Sequence, residues 1–217
     1  MIWPNLADLQ LPVSILTEYS LERLLRQDVP AVTVALAAWY PDISIGAESR
    51  HLSEAFYYEE TWVDPCDELR RILPVVAKYK MDIVALLTIQ SDPAARTVHS
   101  PMGAVAPDHR HVGLAQLGPG ILEAVGRAIG AELAYYFTTL KTRHQQIIAE
   151  RLGYRLVGIV PAFDRDMVAP ECEKRVYEAL YAKVLVPNEK ILVPSKECLT
   201  ENTQRLMRLL FPEHYAG

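Results

Sequence analysis

Apolar and polar residues follow two different periods along this chain, and together they predict a fold of both helices and strands. Helical spacing with capping residues at the ends predicts five helices. Short runs rich in β-branched and aromatic residues predict five strands. The predicted helices cover residues 28–39, 52–62, 119–130, 144–152 and 200–210, and the predicted strands cover residues 74–79, 83–89, 97–105, 132–140 and 154–161.

Acidic residues and prolines set several of these boundaries. Asp28 can cap the first helix, and Pro30 suits its first turn. Residues 69–73 look helical, but Pro74 opposes a continuing helix. The sequence therefore favours two strands that are joined at residues 80–82.

Residues 175–186 leave the choice between helix and strand open. The Glu, Ala, Leu and Lys residues of this segment favour a helix, whereas Val184, Leu185 and Val186 favour a strand. Helices and strands alternate in the second half of the chain. This order predicts an α/β or α+β fold.

Composition and charge narrow the class of protein. The chain has 217 residues, of which 50% are hydrophobic and 23% are charged, which is enough for one substantial core. The net charge is −5 and no long basic run occurs, so we do not expect nucleic acid as a partner. No apolar run approaches the roughly 18 residues of a membrane span, and no secretory signal is recognisable.

Cysteine and histidine residues show no pattern that is typical of a metal site. Cys66, Cys172 and Cys198 are scattered and odd in number, which predicts reduced thiols and a cytoplasmic protein. Four histidines invite comparison with metal ligands, but no carboxylate or cysteine completes a pattern around them, and we expect no metal. These histidines are His99, His109, His111 and His144.

The segment over residues 105–115 has the most informative local pattern. A predicted strand leads into a turn with the spacing Arg110-x-x-Gly113-x-Ala115, and a helical stretch follows. A strand, a glycine turn and a helix start gather several backbone N–H groups around one point, with the positive end of a helix dipole behind them. Such a cradle is suited to a pyrophosphate, and we expect a ligand of the coenzyme A type.

With these residues, the chain resembles the GNAT superfamily of N-acyltransferases, which has Arg/Gln-x-x-Gly-x-Gly/Ala after its fourth strand. The downstream pair Gly153-Tyr154, between a helix and a strand, is also similar to that family. The resemblance covers residues 73–186, whereas residues 1–70 fit its variable N-terminal helices loosely. It implies a GNAT-like domain over residues 1–186, with a mixed central sheet that splays at strands 4 and 5 between flanking helices. Residues 187–217 would then be a C-terminal extension with a helix.

The resemblance implies transfer of an acetyl or other acyl group from acyl-CoA to the primary amine of a small molecule or a protein, without a metal. The backbones of Gly103 and Val105 would bind the pantetheine arm, and Arg110 would support the turn. The side chain of His111 could add a donor to a phosphate or could be merely exposed. The N–H groups that would bind the pyrophosphate belong to His111, Val112, Gly113, Leu114 and Ala115.

The resemblance also indicates catalytic candidates. His99 stands where the family often has a base, and His144 opens a helix that often contacts CoA or the thioester; both could equally be ordinary polar residues. Glu132 is a weaker candidate base. The family's acidic tyrosine is replaced here by Ala149, so the general acid is unassigned. Three tyrosines could substitute for it or could be packed aromatics, namely Tyr154, Tyr177 and Tyr181.

Two further segments affect these expectations. Residues 163–166 predict a charged loop that, with Tyr57, Tyr58 and Glu59, could recognise a cationic amine or could simply be solvated. Gly118-Pro119-Gly120 predicts that the helix after the cradle begins late or is kinked.

Two other functions stay open. The missing tyrosine at position 149 fits a non-catalytic CoA-binding regulatory module, and a coincidental cradle would fit an unrelated α/β interaction domain. The tail helix could pack on its own domain or on a second subunit, so a homodimer is also open.

Overall fold

The computed structural model describes residues 2–12, 17–67 and 69–214, which form a seven-stranded sheet with helices on both faces. The strands lie in the order β1-β2-β3-β4-β5-β7-β6. They are β1 (Tyr19–Arg23), β2 (Ile72–Tyr79), β3 (Asp82–Asp92), β4 (Thr97–Val105), β5 (Leu133–Thr139), β6 (Arg155–Ala169) and β7 (Cys172–Val184). The helices are α1 (Val29–Trp39), α2 (Glu54–Glu60), α3 (Leu114–Ala128), α4 (His144–Arg151) and α5 (Glu201–Leu210).

The strands β4 and β5 form the parallel pair at the centre of a sheet whose other pairs are antiparallel. Their pairing runs from Thr97 opposite Leu133 to Ser100 opposite Tyr136 and stops there, although both strands continue. The expected splay between strands 4 and 5 is therefore confirmed, and so is the mixed α/β fold.

A bulge in β4 lies at the point where the two strands separate. On the β3 side, Gln90 pairs with His99 and Thr88 pairs with Met102, so β4 has one more residue than β3 in this interval. A bulge bends its strand and increases the local twist, which turns β4 away from β5. Pro101 lies in this interval and offers no N–H for pairing.

Each face of the sheet has its own hydrophobic core. The helices α3 and α4 cover one face, and α1 and α2 cover the other. The α3–α4 face buries, among others, Val98, Leu122, Val125, Ala134, Tyr136 and Ala149, and the α1–α2 face buries Val32, Leu36, Phe56, Val76, Leu86 and Met102. The cleft between β4 and β5 thus lies between two packed layers.

Several sequence-based boundaries are confirmed and others are corrected. β4 has the predicted bounds, and Gly153, with φ of 77°, follows α4 as predicted. The open segment 175–186 is largely strand β7, because it pairs on both sides with β5 and β6. The predicted loop over residues 163–166 is part of β6 instead, where irregular pairing with β7 tolerates its charged residues.

Two further corrections concern the start of the chain and the cradle helix. The sequence predicts no strand before residue 70, but β1 forms because its backbone pairs with β2. The helix α3 begins at Leu114 rather than at Pro119, and Pro119 lies inside it. Burial of apolar residues along α3 offsets the hydrogen bond that proline cannot donate, and the Tyr154 hydroxyl donates to the Pro119 carbonyl.

The C-terminal segment returns to the sheet through Arg155 of β6. Its guanidinium pairs with Glu213 and lies 5.2 Å from the centre of the Phe211 ring. The division of the chain near residue 186 stays a prediction. In the part of the chain that the structure describes, no helix combines the length and apolar character that crossing a membrane requires.

Close contact between α3 and the sheet at Gly126 gives a test of this packing. A Cβ at Gly126 would lie 2.8 Å from Cγ2 of Val98 and 3.0 Å from Cδ1 of Leu185, whereas one at Gly118 would meet Cδ1 of Leu87 at an ordinary 3.5 Å. We expect Gly126→Ala to be less stable than Gly118→Ala by about 1–2 kcal/mol in urea unfolding. Both changes bring the same helix propensity, so equal stabilities would contradict this packing.

Candidate active site

A cleft of about 610 Å³ opens where β4 and β5 diverge and reaches both faces of the sheet. On the α3–α4 face, it is lined by the start of α3, by β5 and by the start of α4. On the α1–α2 face, it is lined by the segment after α1 and by β6 and β7. The lining residues used below are Tyr40, Asp42, Glu48, Gly103, Val105, Arg110, Tyr136, Phe137, Thr138, Lys141, His144, Asp164, Asp166 and Glu178.

The turn before α3 presents an array of free backbone donors. Gly113 caps α3 in the left-handed region with φ of 89°, and nothing lies within 4 Å of the place where its Cβ would be. Among the described residues, the five N–H groups of residues 111–115 have no hydrogen-bond acceptor. Consecutive free donors at the positive end of a 15-residue helix fit the diphosphate of a CoA-type ligand.

Contacts with β1, with the end of β4 and with the end of α1 fix the position of this turn. Nδ1 of His109 lies 2.9 Å from the Tyr19 hydroxyl. Arg110 donates to the carbonyl oxygens of Val105 and Trp39, each at 3.2 Å, and its guanidinium lies 4.8 Å from the centre of the Tyr40 ring. The Arg110 side chain therefore ties the turn to the body of the protein.

The separated part of β4 has a side-chain partner in place of a strand. The Tyr40 hydroxyl lies 3.3 Å from both the N–H and the carbonyl oxygen of Val105. Gly103 lies two residues earlier on the same edge and also lines the cleft. A ligand amide that binds at Val105 would thus take the place of the Tyr40 hydroxyl.

Five carboxylates, which we call the acidic wall, line the α1–α2 side of the cleft: Asp42, Glu48, Asp164, Asp166 and Glu178. Lys141 pairs with Asp42 at 3.0 Å and also with Asp166. Asp164 accepts from the Ala47 N–H at 3.1 Å. Within the described part of the chain, Glu48 and Glu178 have neither a hydrogen bond nor an ion pair through their carboxylates.

Burial and the repulsion of nearby carboxylates raise the pKa values of the two unpaired carboxyl groups of the acidic wall. Burial, followed by the nearby charges of Glu178, Asp164 and Asp166, raises the pKa of Glu48 to about 7. Burial, followed by Asp164 and Asp166, raises the pKa of Glu178 to about 7. Groups with such pKa values can take up and release a proton near neutral pH, which suits a general base.

Contacts with β6 and β3 hold the segment around Glu48 in place. Gly46, with φ of 80°, lets the preceding turn approach β6 so closely that a Cβ there would be 2.4 Å from the Arg165 carbonyl oxygen. His51 is buried, and burial lowers its pKa to about 4, so its ring is neutral. Nδ1 of His51 lies 3.0 Å from the Glu48 carbonyl oxygen, so Nδ1 donates, and Nε2 accepts from the Thr88 hydroxyl at 3.2 Å.

The two predicted catalytic histidines lie in different surroundings. His99 is outside the residues that line the cleft, and its ring stacks on Tyr135 with 5.1 Å between centroids. Burial lowers the pKa of His99. His144 is exposed, lines the cleft and is the first residue of α4. Glu132, the weaker candidate, pairs with Arg96 at 2.8 Å.

Sequence reasoning identified only part of the acidic wall. The sequence indicates residues 163–166 as a candidate recognition segment, and Asp164 and Asp166 line the cleft. Tyr57, Tyr58 and Glu59 are not among the lining residues. The sequence does not indicate Glu48 and Glu178, because no local motif distinguishes them from exposed glutamates.

Outside the cleft, one group of side chains has the spacing of metal ligands. Asp64, Cys66 and Asp67 have ligand atoms within 4.8 Å of one another. Asp64 pairs with Arg26 at 2.9 Å, and Asp67 pairs with Arg70 at 3.6 Å. Two of the three ligands are therefore occupied by ion pairs, and the expectation of no metal stays a prediction.

No protein-family model matches the sequence, and no curated protein does either. Solved structures, however, show the fold plainly. A variant of the spermidine N-acetyltransferase SpeG from Vibrio cholerae has a TM-score of 0.62 at 12% identity, over 78% of this chain and 95% of that one.

Two other solved structures support the same fold. The ribosomal-protein-S5-alanine acetyltransferase from Vibrio fischeri has a TM-score of 0.61 at 11% identity, over 79% of this chain and 95% of that one. A GNAT-family acetyltransferase structure from Desulfovibrio desulfuricans has a TM-score of 0.57 at 17% identity, over 77% and 99% of the two chains. The chain has the fold of the GNAT acetyltransferases.

The raised pKa of Glu48 predicts how the free energy of unfolding depends on pH. Because folding favours the protonated carboxyl, its contribution is fully present below pH of about 4.5 and is lost as pH rises through about 7. We expect Glu48→Gln to gain stability relative to the wild type between pH of about 5 and about 8, by on the order of 2 kcal/mol. Chemical unfolding across this range measures the gain.

The matched control for this prediction is Glu189→Gln, which neutralises an exposed carboxylate outside the cleft. Its difference from the wild type should stay constant over the same pH range. A Glu48→Gln variant that behaves like this control would show that Glu48 titrates as an exposed residue.

Proposed function

We propose that the protein is an N-acyltransferase that moves an acetyl or other acyl group from acyl-CoA to a primary amine. One observation supports this above all: a single cleft has free backbone donors on the α3 side and carboxylates on the opposite side of the sheet. An anionic donor and a cationic acceptor could therefore approach each other at the point where β4 and β5 separate.

The donor would bind along the α3–α4 side of the cleft. In this proposal, the N–H groups of residues 111–115 hold the diphosphate, and Gly103 and Val105 bind the pantetheine arm through their backbones. Arg110 acts indirectly, since its guanidinium is engaged with carbonyl oxygens of the protein. CoA would supply the activated acyl group as a thioester.

The acceptor would be a small amine that is positively charged. The acidic wall has five carboxylates, and Lys141 neutralises part of its charge by pairing with two of them. An ammonium ion that enters the cleft would gain partners for Glu48 and Glu178, whose charges are otherwise costly to bury. The name of the Vibrio cholerae enzyme gives a polyamine acceptor, spermidine, which is consistent with this acceptor class. A primary amino group on a protein remains the alternative acceptor.

Catalysis would combine proximity with proton removal. Glu178 or Glu48 takes a proton from the ammonium group, and the neutral amine then forms a C–N bond to the thioester carbonyl as the C–S bond breaks. The electron pair of that bond goes to the sulfur. His144 lies at the cleft and remains a candidate for contact with the donor, and the role of His99 as a base stays a prediction that His99→Ala can test.

A non-catalytic CoA-binding module is the alternative function. It predicts donor binding without turnover, and it gives no reason for two unpaired carboxyl groups that titrate near neutrality. An unrelated interaction domain would bind no CoA at all. The cytoplasmic location and a homodimer also stay predictions; exposed apolar side chains on α5, such as Leu206 and Leu209, could contact a second copy.

Donor binding can be tested at Gly113. We expect Gly113→Asp to abolish binding of acetyl-CoA and free CoA in calorimetric titration, because a carboxylate would face the diphosphate. Gly130→Asp is the matched control: Gly130 also has a positive φ, of 73°, and open space at its Cβ, but it lies beyond the opposite end of α3. If both variants bind CoA like the wild type, the cradle is wrongly placed.

The acidic wall can be tested with carboxylate variants and a diamine as the acceptor. We expect Glu178→Gln and Glu48→Gln to lower kcat/KM for a diamine by roughly 10- to 100-fold and to remove a rise in rate through pH of about 7. Steady-state rates over a pH series measure both effects. Glu189→Gln should match the wild type, and unchanged profiles in both cleft variants would remove these carboxylates from the reaction.

A further inference from the structure

Lys141 places a positive charge inside the acidic wall. It follows β5, lines the cleft and reaches both the segment after α1 and β6. Its ammonium group lies 3.0 Å from a carboxylate oxygen of Asp42 and also pairs with Asp166. Burial disfavours the charge, but the hydrogen bonds to Asp166 and Asp42 outweigh this effect and raise the pKa of Lys141. Lys141 is therefore positively charged at neutral pH.

The acidic wall consequently has a paired part and an unpaired part. Asp42 and Asp166 form the paired part, because Lys141 neutralises much of their charge. Glu48 and Glu178 form the unpaired part within the residues that the structure describes. Since the pKa of each glutamate is raised to about 7, the two groups together carry about one negative charge at neutral pH. The unpaired part thus matches the charge of a single ammonium ion.

The two remaining charged residues of this region offer no place for a second ammonium ion. Asp164 accepts from the N–H groups of Ala47 at 3.1 Å and Arg165 at 2.7 Å. The Arg165 guanidinium pairs with Glu173 at 3.1 Å and brings another positive charge to the lining of the cleft. A second ammonium ion would have to displace Lys141. This competition is unfavourable, because the lysine is tethered to the protein and is always present at high local concentration.

Apolar side chains line the same half of the cleft as the acidic wall. Successive side chains of β5 alternate between the faces of the sheet, and Tyr136 belongs to the core on the α3–α4 face, so Phe137 faces the opposite side. The Phe137 ring stacks on Phe163 with 4.1 Å between centroids, which fixes its position. Ile43 and Val176 also line the cleft. Burial of an apolar group against these side chains would be favourable.

We propose that the acceptor is a primary amine with one positive charge and an apolar body, and that Lys141 excludes amines with a second charge; this rests on the proposed function. The single ammonium group binds at Glu48 and Glu178, and the apolar body packs against Phe137. A second ammonium group would meet the charge of Lys141, and such repulsion between like charges gives specificity against the wrong substrate.

The first test compares two amines in the wild-type protein. Hexylamine and 1,5-diaminopentane have the same number of non-hydrogen atoms, and they differ because a methyl group replaces one ammonium group. We expect kcat/KM for hexylamine to be higher by about 10-fold or more at neutral pH and low salt. A diamine that reacts as well as hexylamine, or better, would overturn the proposal. This comparison needs no variant, so it decides the proposal even if a Lys141 variant fails to fold.

The second test assigns the discrimination to Lys141. Lys141→Met removes the charge and leaves Asp42 and Asp166 available to a second ammonium group. We expect the ratio of kcat/KM for the two amines to shift toward the diamine by about 10- to 100-fold. Lys141→Arg keeps the charge and should keep the preference for hexylamine. An unchanged ratio in a folded Lys141→Met protein would overturn the role of Lys141.

Two further variants serve as controls for this shift. Lys190→Met removes an exposed positive charge outside the cleft and should have the ratio of the wild type. The double variant Lys141→Met/Asp42→Asn removes a carboxylate that the diamine would use, and it should lose much of the shift. A full shift in the double variant would contradict a second cation site at Asp42.

Binding without turnover gives an independent measurement. Each amine can be titrated calorimetrically into the protein with free CoA bound, since CoA carries no acyl group to transfer. The wild type should bind hexylamine more tightly than the diamine, and Lys141→Met should reverse this order. The same order in both proteins would contradict the proposal.

The apolar body is tested with a shorter amine. In the wild type, kcat/KM for hexylamine should exceed that for methylamine by about 10-fold or more, because each buried methylene group adds to binding. Equal values would overturn this part of the proposal.

Failure of the inference and failure of the proposed function give different results. A wild type that acylates hexylamine and the diamine equally well contradicts the inference and leaves the proposed function intact. A wild type that binds acetyl-CoA but acylates no primary amine contradicts the proposed function, and the inference falls with it.

Discussion

The early end of pairing between β4 and β5 is the constraint on which the cleft depends. Parallel strands that stay paired along their whole length would leave no space between the two cores. Here pairing stops at Ser100 opposite Tyr136, and the bulge in β4 turns the remaining residues away. The turn before α3 and the acidic wall, which is formed by β6, β7 and the segment after α1, consequently open into the same space, although they lie on opposite faces of the sheet.

Burying the negative charges of the acidic wall lowers the stability of the fold. Specific contacts nevertheless hold Glu48 in this wall. Glu48 follows a turn that only glycine allows at position 46, and the neutral ring of His51 holds its carbonyl. Asp164 fixes the same turn from β6 through the Ala47 N–H. Backbone contacts, rather than ion pairs, thus hold a carboxyl group whose charge the cleft disfavours. A cation in the cleft would stabilise the charged form of this carboxyl group.

Local sequence signals predicted those features that depend on neighbouring residues. The bounds of β4 and the glycine after α4 both follow from short-range patterns. The strand β1, the course of β6 and the acidic wall do not, because long-range pairing determines them. Gly46 meets Asp164 across more than half of the chain, and nothing near either residue indicates the contact.

The contact of Tyr40 with Val105 has a consequence for the protein before any ligand arrives. Where β4 leaves β5, its backbone would be an open strand edge, and such edges recruit strands from other molecules and promote aggregation. The Tyr40 hydroxyl occupies both polar groups of Val105, and the Arg110 guanidinium covers the tyrosine ring. A cleft that must be open for chemistry is in this way protected from unwanted strand addition by one removable side chain.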